Sequence, residues 1–213
     1  MTIVPQPPFV SKGKVVLQKM FPAAVVTTAD VLLRDVVASE FDAQGDAGDA
    51  GRYTTVGNGA LVRAASTTAT FERSGSADHV LDRTRGTLVG DTSTLVRAAD
   101  SITLDATREN AFKGVAEFRK NGTTVAGNLA VGATRVNFGA TPANAQGATY
   151  TQTDLDGLNS LKGLALTSYS TFDLYGDVNL GGVNANGQPT LENLTLQGAG
   201  LAGLDNSGKT ANL

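Results

Sequence analysis

The sequence predicts an all-β chain whose short strands stack on one another as a β-solenoid, after a less regular N-terminal lead-in. Three observations support this prediction: short apolar–polar–apolar segments recur from residue 53 onward, glycine accounts for 25 of 213 residues, and charged residues make up only 17%. A typical soluble domain is about 25% charged and about 7% glycine. In a stacked coil each side chain lies about 4.8 Å from its counterpart on the next strand. Like charges repel there, whereas glycine, asparagine and aspartate suit the tight corners.

Residues 1–50 are predicted to form the lead-in or a capping segment. Pro5, Pro7 and Pro8 favour extended backbone. The apolar stretch that follows is interrupted by Gln18 and Lys19. It therefore lacks the uncharged run of 7–15 apolar residues that a secretory signal needs. Residues 30–41, DVLLRDVVASEF, fit either a short helix or a strand, and the glycine-rich residues 44–51 predict the loop that ends the lead-in.

Residues 51–213 are predicted to form the solenoid region. Each short segment has the period of two expected of a strand with one buried face, and Asn-Gly pairs at 58–59, 121–122 and 186–187 predict turns. Ile102 and Val136 lie 34 residues apart, Val136 and Val178 lie 42 apart, and Val178 and Leu194 lie 16 apart. These spacings suggest degenerate repeats of about 16–21 residues, which are typical of a solenoid. An antiparallel β-sandwich is the alternative, because short strands at intervals of 8–12 residues also fit that fold.

Composition excludes several classes of chemistry. There is no cysteine, which excludes a thiol nucleophile and cysteine-ligated metal sites, and there is one histidine, His79. The net charge of −3 argues against nucleic acid as a partner. Residues 136–213 hold only two basic residues, Lys162 and Lys209, against six acidic ones, so this stretch has the composition most typical of a solenoid.

Several segments resemble the repeats of filamentous-haemagglutinin-type exoproteins. They are GNGALVR at 57–63, GTLV at 86–89, SITLD at 101–105, GNLAVGA at 127–133, FDLYGDV at 172–178 and LAGLDNSGKT at 201–210. The resemblance implies a right-handed parallel β-helix, a secreted or cell-surface location, adhesion, and export through an outer-membrane transporter of the two-partner type. The family's Asn-Pro-rich secretion motif is not found here, so we expect an internal piece of a larger exoprotein or a short relative.

The expected function is therefore that of a non-catalytic structural and adhesive segment of a bacterial exoprotein, without a cofactor. Its partner would be a host-cell or surface receptor or glycan. One alternative is a subunit that stacks end to end into an extracellular fibre, because open solenoid ends expose strand edges. A second alternative is a polysaccharide-processing β-helix. For it, Asp154 and Asp156 are the best carboxylate pair, although in a strand they are merely neighbours on one face.

Two glycine motifs resemble nucleotide-binding sites. Residues 203–210, GLDNSGKT, match the phosphate-binding pattern that includes Lys209, and residues 198–203, GAGLAG, match the dinucleotide pattern. Both patterns need a helix directly after the glycines, and none is predicted. We therefore expect turns between strands and no nucleotide site.

Two further groups of residues are weak site candidates. Asp42, Asp46 and Asp49 lie in a glycine-rich stretch, but their spacing matches no known calcium loop, so a solvated turn is expected. His79 lies in a polar turn and is expected to be an exposed side chain without a ligand. No catalytic, cofactor-binding or metal-binding residue is predicted.

Overall fold

The computed structural model describes residues 86–213, Arg83, and the backbone of four earlier strands, with side chains at 61–64. This part of the chain contains nineteen strands and one helix of seven residues. The all-β prediction is therefore confirmed for the described residues, whose strands lie in several sheets.

The four earliest strands are β1 (Val16–Met20), β2 (Leu32–Arg34), β3 (Val37–Asp46) and β4 (Ala60–Ala65). Strands β1, β3 and β4 belong to one mixed sheet, whereas β2 belongs to another. Strand β3 pairs in parallel with both β1 and β4. Residues 30–41, for which helix and strand were both open, thus contribute to two strands. The loop expected at 44–51 is wrong at its start, because Gln44, Gly45 and Asp46 continue β3 and pair with Arg63–Ala65 of β4. Pairing to a neighbouring strand outweighs the turn propensity of these residues.

The middle of the chain combines parallel and antiparallel pairs. Its strands are β5 (Thr87–Gly90), β6 (Leu95–Ala98), β7 (Ser101–Ala106), β8 (Glu109–Phe112), β9 (Val115–Lys120) and β10 (Thr123–Thr124). Strands β5 and β8 pair in parallel, as do β6 and β9, whereas β7 is antiparallel to β4. The predicted turn at Asn121-Gly122 joins β9 to the antiparallel β10, with φ of 52° and 78° at the two residues. Positive φ at both positions is what a tight two-residue hairpin requires.

Strand β7 and the strands from β11 onward form parallel stacks. The later elements are β11 (Asn128–Ala133), β12 (Val136–Gly139), β13 (Ala148–Tyr150), α1 (Gln152–Leu158), β14 (Gly163–Ser168), β15 (Phe172–Tyr175), β16 (Val178–Asn179), β17 (Asn193–Gln197), β18 (Leu201–Leu204) and β19 (Ala211–Asn212). One parallel stack is β7-β11-β14-β17, a second is β13-β12-β15-β18, and a third is the pair β16-β19.

The register of the first stack gives the true spacing of stacked residues. Ile102 pairs with Leu129, Leu129 with Leu164, and Leu164 with Leu194, so partners lie 27, 35 and 30 residues apart. The predicted repeat of 16–21 residues is therefore wrong. Ile102 and Val136, which suggested it, belong to different stacks. Every stack shows the same alternation of apolar and polar residues, and spacing alone cannot tell stacked strands from consecutive ones.

The core lies between the stacks. Rows of paired apolar side chains run from strand to strand, as in Leu104, Val131 and Leu166, which are at most 5% exposed. Phe138 is fully buried, and its ring centroid lies 6.0 Å from that of Phe172 in a stacked arrangement. Such rows bury apolar surface that no single short strand could cover, so the core depends on the parallel pairing.

Buried polar side chains also connect neighbouring strands. The Asn110 amide nitrogen donates to the carbonyls of Leu104 and Gly132, at 2.8 and 3.1 Å, and thereby bridges β7 and β11. The fully buried carboxylate of Asp105 accepts hydrogen bonds from the Tyr169 hydroxyl at 2.7 and 2.8 Å. These bonds satisfy polar groups that are buried between the strands.

Helix α1 was not predicted. Thr151 caps its N-terminus: the Thr151 hydroxyl accepts from the Asp154 backbone N–H, while the Asp154 carboxylate accepts from the Thr151 N–H. Asp154 and Asp156 are therefore helical residues, and the interpretation of them as same-face neighbours in a strand is wrong. Thr151-x-x-Asp154 is a capping-box pattern that marks a helix start. That signal could have revealed the helix.

Candidate binding cleft

Helix α1 is fixed against the third stack by amide side chains. The Gln152 side chain donates to the Asn179 carbonyl at 2.7 Å and accepts from the Asn179 N–H at 3.0 Å, as a neighbouring strand would. The Asn159 amide oxygen accepts from the Gly181 N–H at 2.8 Å. Both ends of the helix are thus tied to β16 and the residues just after it.

A cleft of about 790 Å³ opens between the C-terminal part of α1 and the loop that precedes β17. Its lining is polar, with two carboxylates, three side-chain amides and two hydroxyls. The lining residues are Asp156, Asn159, Ser160, Asn184, Gln188, Pro189, Thr190 and Glu192. The lining contains no basic and no aromatic side chain.

The loop that forms one wall of this cleft is held by Asn184. Its side-chain oxygen accepts from the backbone N–H groups of Asn186 at 2.9 Å and Gln188 at 3.1 Å. The predicted turn at Asn186-Gly187 is present, with a φ of 74° at Gly187. These local bonds give the exposed wall a defined shape.

Several polar groups in the cleft keep unused hydrogen-bonding capacity among the described residues. Asn159 uses its amide oxygen for Gly181, which leaves its amide nitrogen as a donor. Gln188 has a donor nitrogen of the same kind, since only its side-chain oxygen receives a weak 3.5 Å bond from Asn184. The Asp156 carboxylate accepts one bond, at 2.8 Å from Gln152, and the exposed Glu192 carboxylate accepts none from described residues. The cleft can therefore both donate to and accept from a ligand.

A second cavity, of about 410 Å³, lies on another side of α1. Buried leucines of the core form part of its lining, together with Lys113, Tyr150 and Asp154. The Lys113 ammonium lies 3.9 Å from the Asp154 carboxylate and donates to the Thr149 carbonyl at 2.8 Å. Burial, and to a lesser degree the charge of Asp154, raises the pKa of the Tyr150 phenol above its ordinary value of 10.0. The phenol is therefore neutral at physiological pH.

The two carboxylates considered for polysaccharide hydrolysis do not share a cavity. Asp154 lines the smaller cavity and Asp156 lines the larger cleft. Moreover, Asp154 is occupied by the cap of α1, where its carboxylate accepts from the Thr151 N–H and hydroxyl, each at 2.8 Å. Glycosidases need two carboxyl groups that flank one scissile bond. This pair does not meet that requirement.

The segment at 203–210, which matches the phosphate-binding pattern, comprises the last two residues of β18 and the turn at 205–210 that leads to β19. Lys209 forms an ion pair with Asp177 at 3.0 Å, and the Thr210 N–H donates to the same carboxylate at 3.0 Å. The hydrogen bond from Thr210, followed by that from Lys209, lowers the pKa of Asp177. Strand β19, and not a helix, follows the motif. Lys209 thus pairs with a carboxylate of its own chain and stabilises a surface turn.

The segment at 198–203, which matches the dinucleotide pattern, comprises the corner at 198–200 between β17 and β18 and the first three residues of β18. The Ala199 N–H donates to the Ser170 carbonyl at 2.8 Å, and the Phe172 N–H donates to the Gly200 carbonyl at 2.9 Å. These backbone groups link the corner to the strand pair beneath it. The motif also lacks a helix after its glycines.

The remaining candidate residues fall mostly outside the described part of the chain. His79 and Asp49 lie outside it, and only the backbone of Asp42 and Asp46 is described, in β3. Among the described residues, no three potential metal-ligating side chains cluster, and no helix has the length and apolar character needed to cross a membrane.

Comparison with known proteins found no matching family model, no matching curated protein and no matching solved structure. The resemblance to filamentous-haemagglutinin-type exoproteins therefore stays a prediction that rests on the repeat segments.

Proposed function

We propose that the chain from Ser101 onward is a right-handed parallel β-helix and that it serves as a non-catalytic structural and adhesive segment of a bacterial secreted or cell-surface exoprotein. The observation that carries the proposal is the recurrence of the same strand order in successive coils. Strands β14, β15 and β16 are followed by β17, β18 and β19, each in parallel register with its counterpart. Parallel connections of this kind are right-handed in about 98% of proteins.

The chemistry of the described residues also supports a structural role. Buried carboxylates such as Asp105 and Asp173 are bound by their own chain: Asp173 pairs with Arg135 at 3.0 Å and accepts from Thr171 at 2.8 Å. A coil of this type displays its outer side chains and corner loops along a rod that rises about 4.8 Å per coil. Such a rod can extend away from a cell surface and contact a partner along its length. The resemblance to adhesive exoproteins also supports an adhesive role.

Adhesion can be tested with beads coated with the chain and applied to cultured epithelial cells. The proposal predicts retention above that of beads coated with an unrelated protein of similar charge. Heat-denatured chain on the same beads is the control that separates folded contact from nonspecific adsorption. Equal retention of folded and denatured chain would contradict an adhesive role.

Assembly into a fibre is a second candidate function, favoured by the outermost strands. Leu194 and Leu201 are 37% and 57% exposed, whereas their stacked partners Leu164 and Phe172 are each 2% exposed. Among described residues no strand pairs with the outer edges of β17, β18 and β19. Residues 193–204 contain no charge and no proline, the usual protections of an edge strand.

Light scattering and electron microscopy at increasing concentration test this assembly. The candidate predicts concentration-dependent growth that Leu201→Lys abolishes, because a charge would then face the incoming strand. Val115→Lys, at a residue that is 53% exposed on β9 and lies away from these edges, is the comparison variant. A strictly monomeric wild-type chain at high concentration would eliminate the fibre candidate.

A further inference from the structure

The polar cleft beside α1 has a chemistry that neither the fold nor the core requires. It has a volume of about 790 Å³, within the range of about 300–1,000 Å³ that is usual for ligand sites. Its walls are fixed by bonds on both sides: Asn159 to Gly181 on one, and Asn184 to the loop backbone on the other. The cleft is therefore a preformed concavity with defined walls.

The unused groups in the cleft include both donors and acceptors. Donors are the amide nitrogens of Asn159 and Gln188, and acceptors are the carboxylates of Asp156 and Glu192. A ligand suited to this set must itself donate and accept at several closely spaced points. Hydroxyl groups do both, and a saccharide carries several on each ring. Apolar ligands are disfavoured because they would leave these polar groups without partners.

The charge of the lining side chains restricts the class of sugar that can bind. The lining holds two carboxylates and no basic side chain. An acidic sugar would bring a like charge next to Asp156 and Glu192, whereas a neutral sugar would not, and a protonated amino sugar would be attracted. We infer that this cleft binds an oligosaccharide of neutral or amino sugars and discriminates against uronic acids.

The inference rests on the proposed adhesive function, for which it names the class of partner. Because the cleft has no aromatic ring to stack on a sugar, weak binding is expected, with dissociation constants on the order of 1 mM. Repetition of such contacts along a surface strengthens attachment without any new chemistry.

The experiment titrates the full 213-residue chain with three probes: a glucosamine hexamer, maltohexaose and an oligogalacturonate of six units. Binding is followed by nuclear magnetic resonance shifts of the backbone amides. Saturable shifts at residues 156–160 and 184–192 are expected with the first two probes. Binding of the oligogalacturonate is expected to be at least tenfold weaker.

Two substitutions and two matched controls test the lining. Glu192→Gln should weaken binding of the glucosamine hexamer about fivefold or more, because a charged hydrogen-bond partner is replaced by a neutral one. Its control, Asp205→Asn, removes the same charge outside the cleft and should leave binding unchanged. Gln188→Ala should weaken both favoured probes about threefold to tenfold, whereas Gln197→Ala, on the outer strand β17, should not.

The outcomes separate this inference from the proposed function. No saturable shift with either favoured probe, tighter binding of the oligogalacturonate, or equal effects of the control variants would overturn the inference. If coated beads adhere to cells but none of the three sugars binds to the cleft, the result would support adhesion and refute the proposal that the cleft binds an oligosaccharide. A cleft that binds sugars on a chain whose coated beads do not adhere would refute adhesion alone.

Discussion

Gly132 gives the sharpest prediction about the stacked strands. The parallel pairing of β7 with β11 sets Gly132 directly against Asp105. A Cβ atom added at Gly132 would overlap the Asp105 carboxylate, whose two oxygens accept from the Tyr169 hydroxyl. Gly132→Ala must therefore displace a buried carboxylate from its hydrogen-bond donor or separate the two strands.

The size of the effect follows from these two costs. Overpacking a tight core contact costs about 1–3 kcal/mol. Weakening hydrogen bonds to a buried charged group costs about 1.5–3 kcal/mol. Gly132→Ala should then lower the free energy of unfolding by about 3–5 kcal/mol. For a chain of this length, that corresponds to a melting temperature lower by about 6–20 °C.

Thermal unfolding followed by circular dichroism measures this loss, with Gly200→Ala as the matched control. A Cβ at Gly200 meets no atom within 4 Å, so that variant should stay within about 0.5 kcal/mol of the wild type. In a double-mutant cycle, Asp105→Ala should remove most of the added cost of Gly132→Ala, because the overlapping atom is gone. A Gly132→Ala variant that melts within about 2 °C of the wild type would refute the register of β7 and β11.

Three further predictions concern the core, a partly buried phenol and a surface ion pair. Leu166→Ala should lower the free energy of unfolding, measured by chemical denaturation, by about 2–5 kcal/mol because Leu166 is fully buried. Leu204→Ala is the control and should lower it by about 1 kcal/mol or less, because Leu204 is 37% exposed. Similar losses for both variants would contradict the assignment of the core. The pKa of Tyr150 is raised in the folded chain, so its contribution to stability is complete below about pH 10 and declines as pH rises above that value. Tyr150→Phe should therefore lose less stability than the wild type between about pH 9 and pH 11, and parallel losses would contradict the burial of the phenol. The pKa of the Asp177 carboxyl should lie below its ordinary value when it is measured by nuclear magnetic resonance. Lys209→Ala should move this pKa toward the ordinary value, whereas the control Lys162→Ala should leave it unchanged. An unchanged pKa in Lys209→Ala would show that the ion pair does not form in solution.

The strand content could be predicted from the sequence, because alternation of apolar and polar residues is a local property. Ile102, Leu104, Val136 and Phe138 were all expected on buried strand faces, and each is at most 2% exposed. The turns at Asn121-Gly122 and Asn186-Gly187 could also be predicted from the sequence, since positive φ is a requirement of the turn itself. The number of residues between stacked partners could not be predicted, because it depends on which strands share a stack.

Apolar periodicity was too weak to reveal helix α1, and no local pattern could reveal the cleft beside it. The heptapeptide QTDLDGL at 152–158 contains only two apolar residues, the buried Leu155 and the partly buried Leu158, which are too few to establish a helical period. The cleft joins Asp156 and Asn159 to residues 184–192, which are distant in the sequence and meet only in the folded chain. Asp156 was singled out in the sequence for a different chemistry, and Gln188 and Glu192 carried no local signal.

The parallel register between coils is the central claim, and the absence of cysteine from the chain allows a direct test. Ala130 and Ala165 are paired neighbours on β11 and β14, and both are half-buried. Cysteines at paired positions lie within the Cα separation of about 4.4–6.8 Å that a disulfide requires, whereas a shift of two residues exceeds about 7 Å. Under mild oxidation, Ala130→Cys combined with Ala165→Cys should form an intramolecular disulfide much faster than Ala130→Cys combined with Thr167→Cys. Equal rates, or faster closure of the shifted pair, would contradict the stacked-coil account.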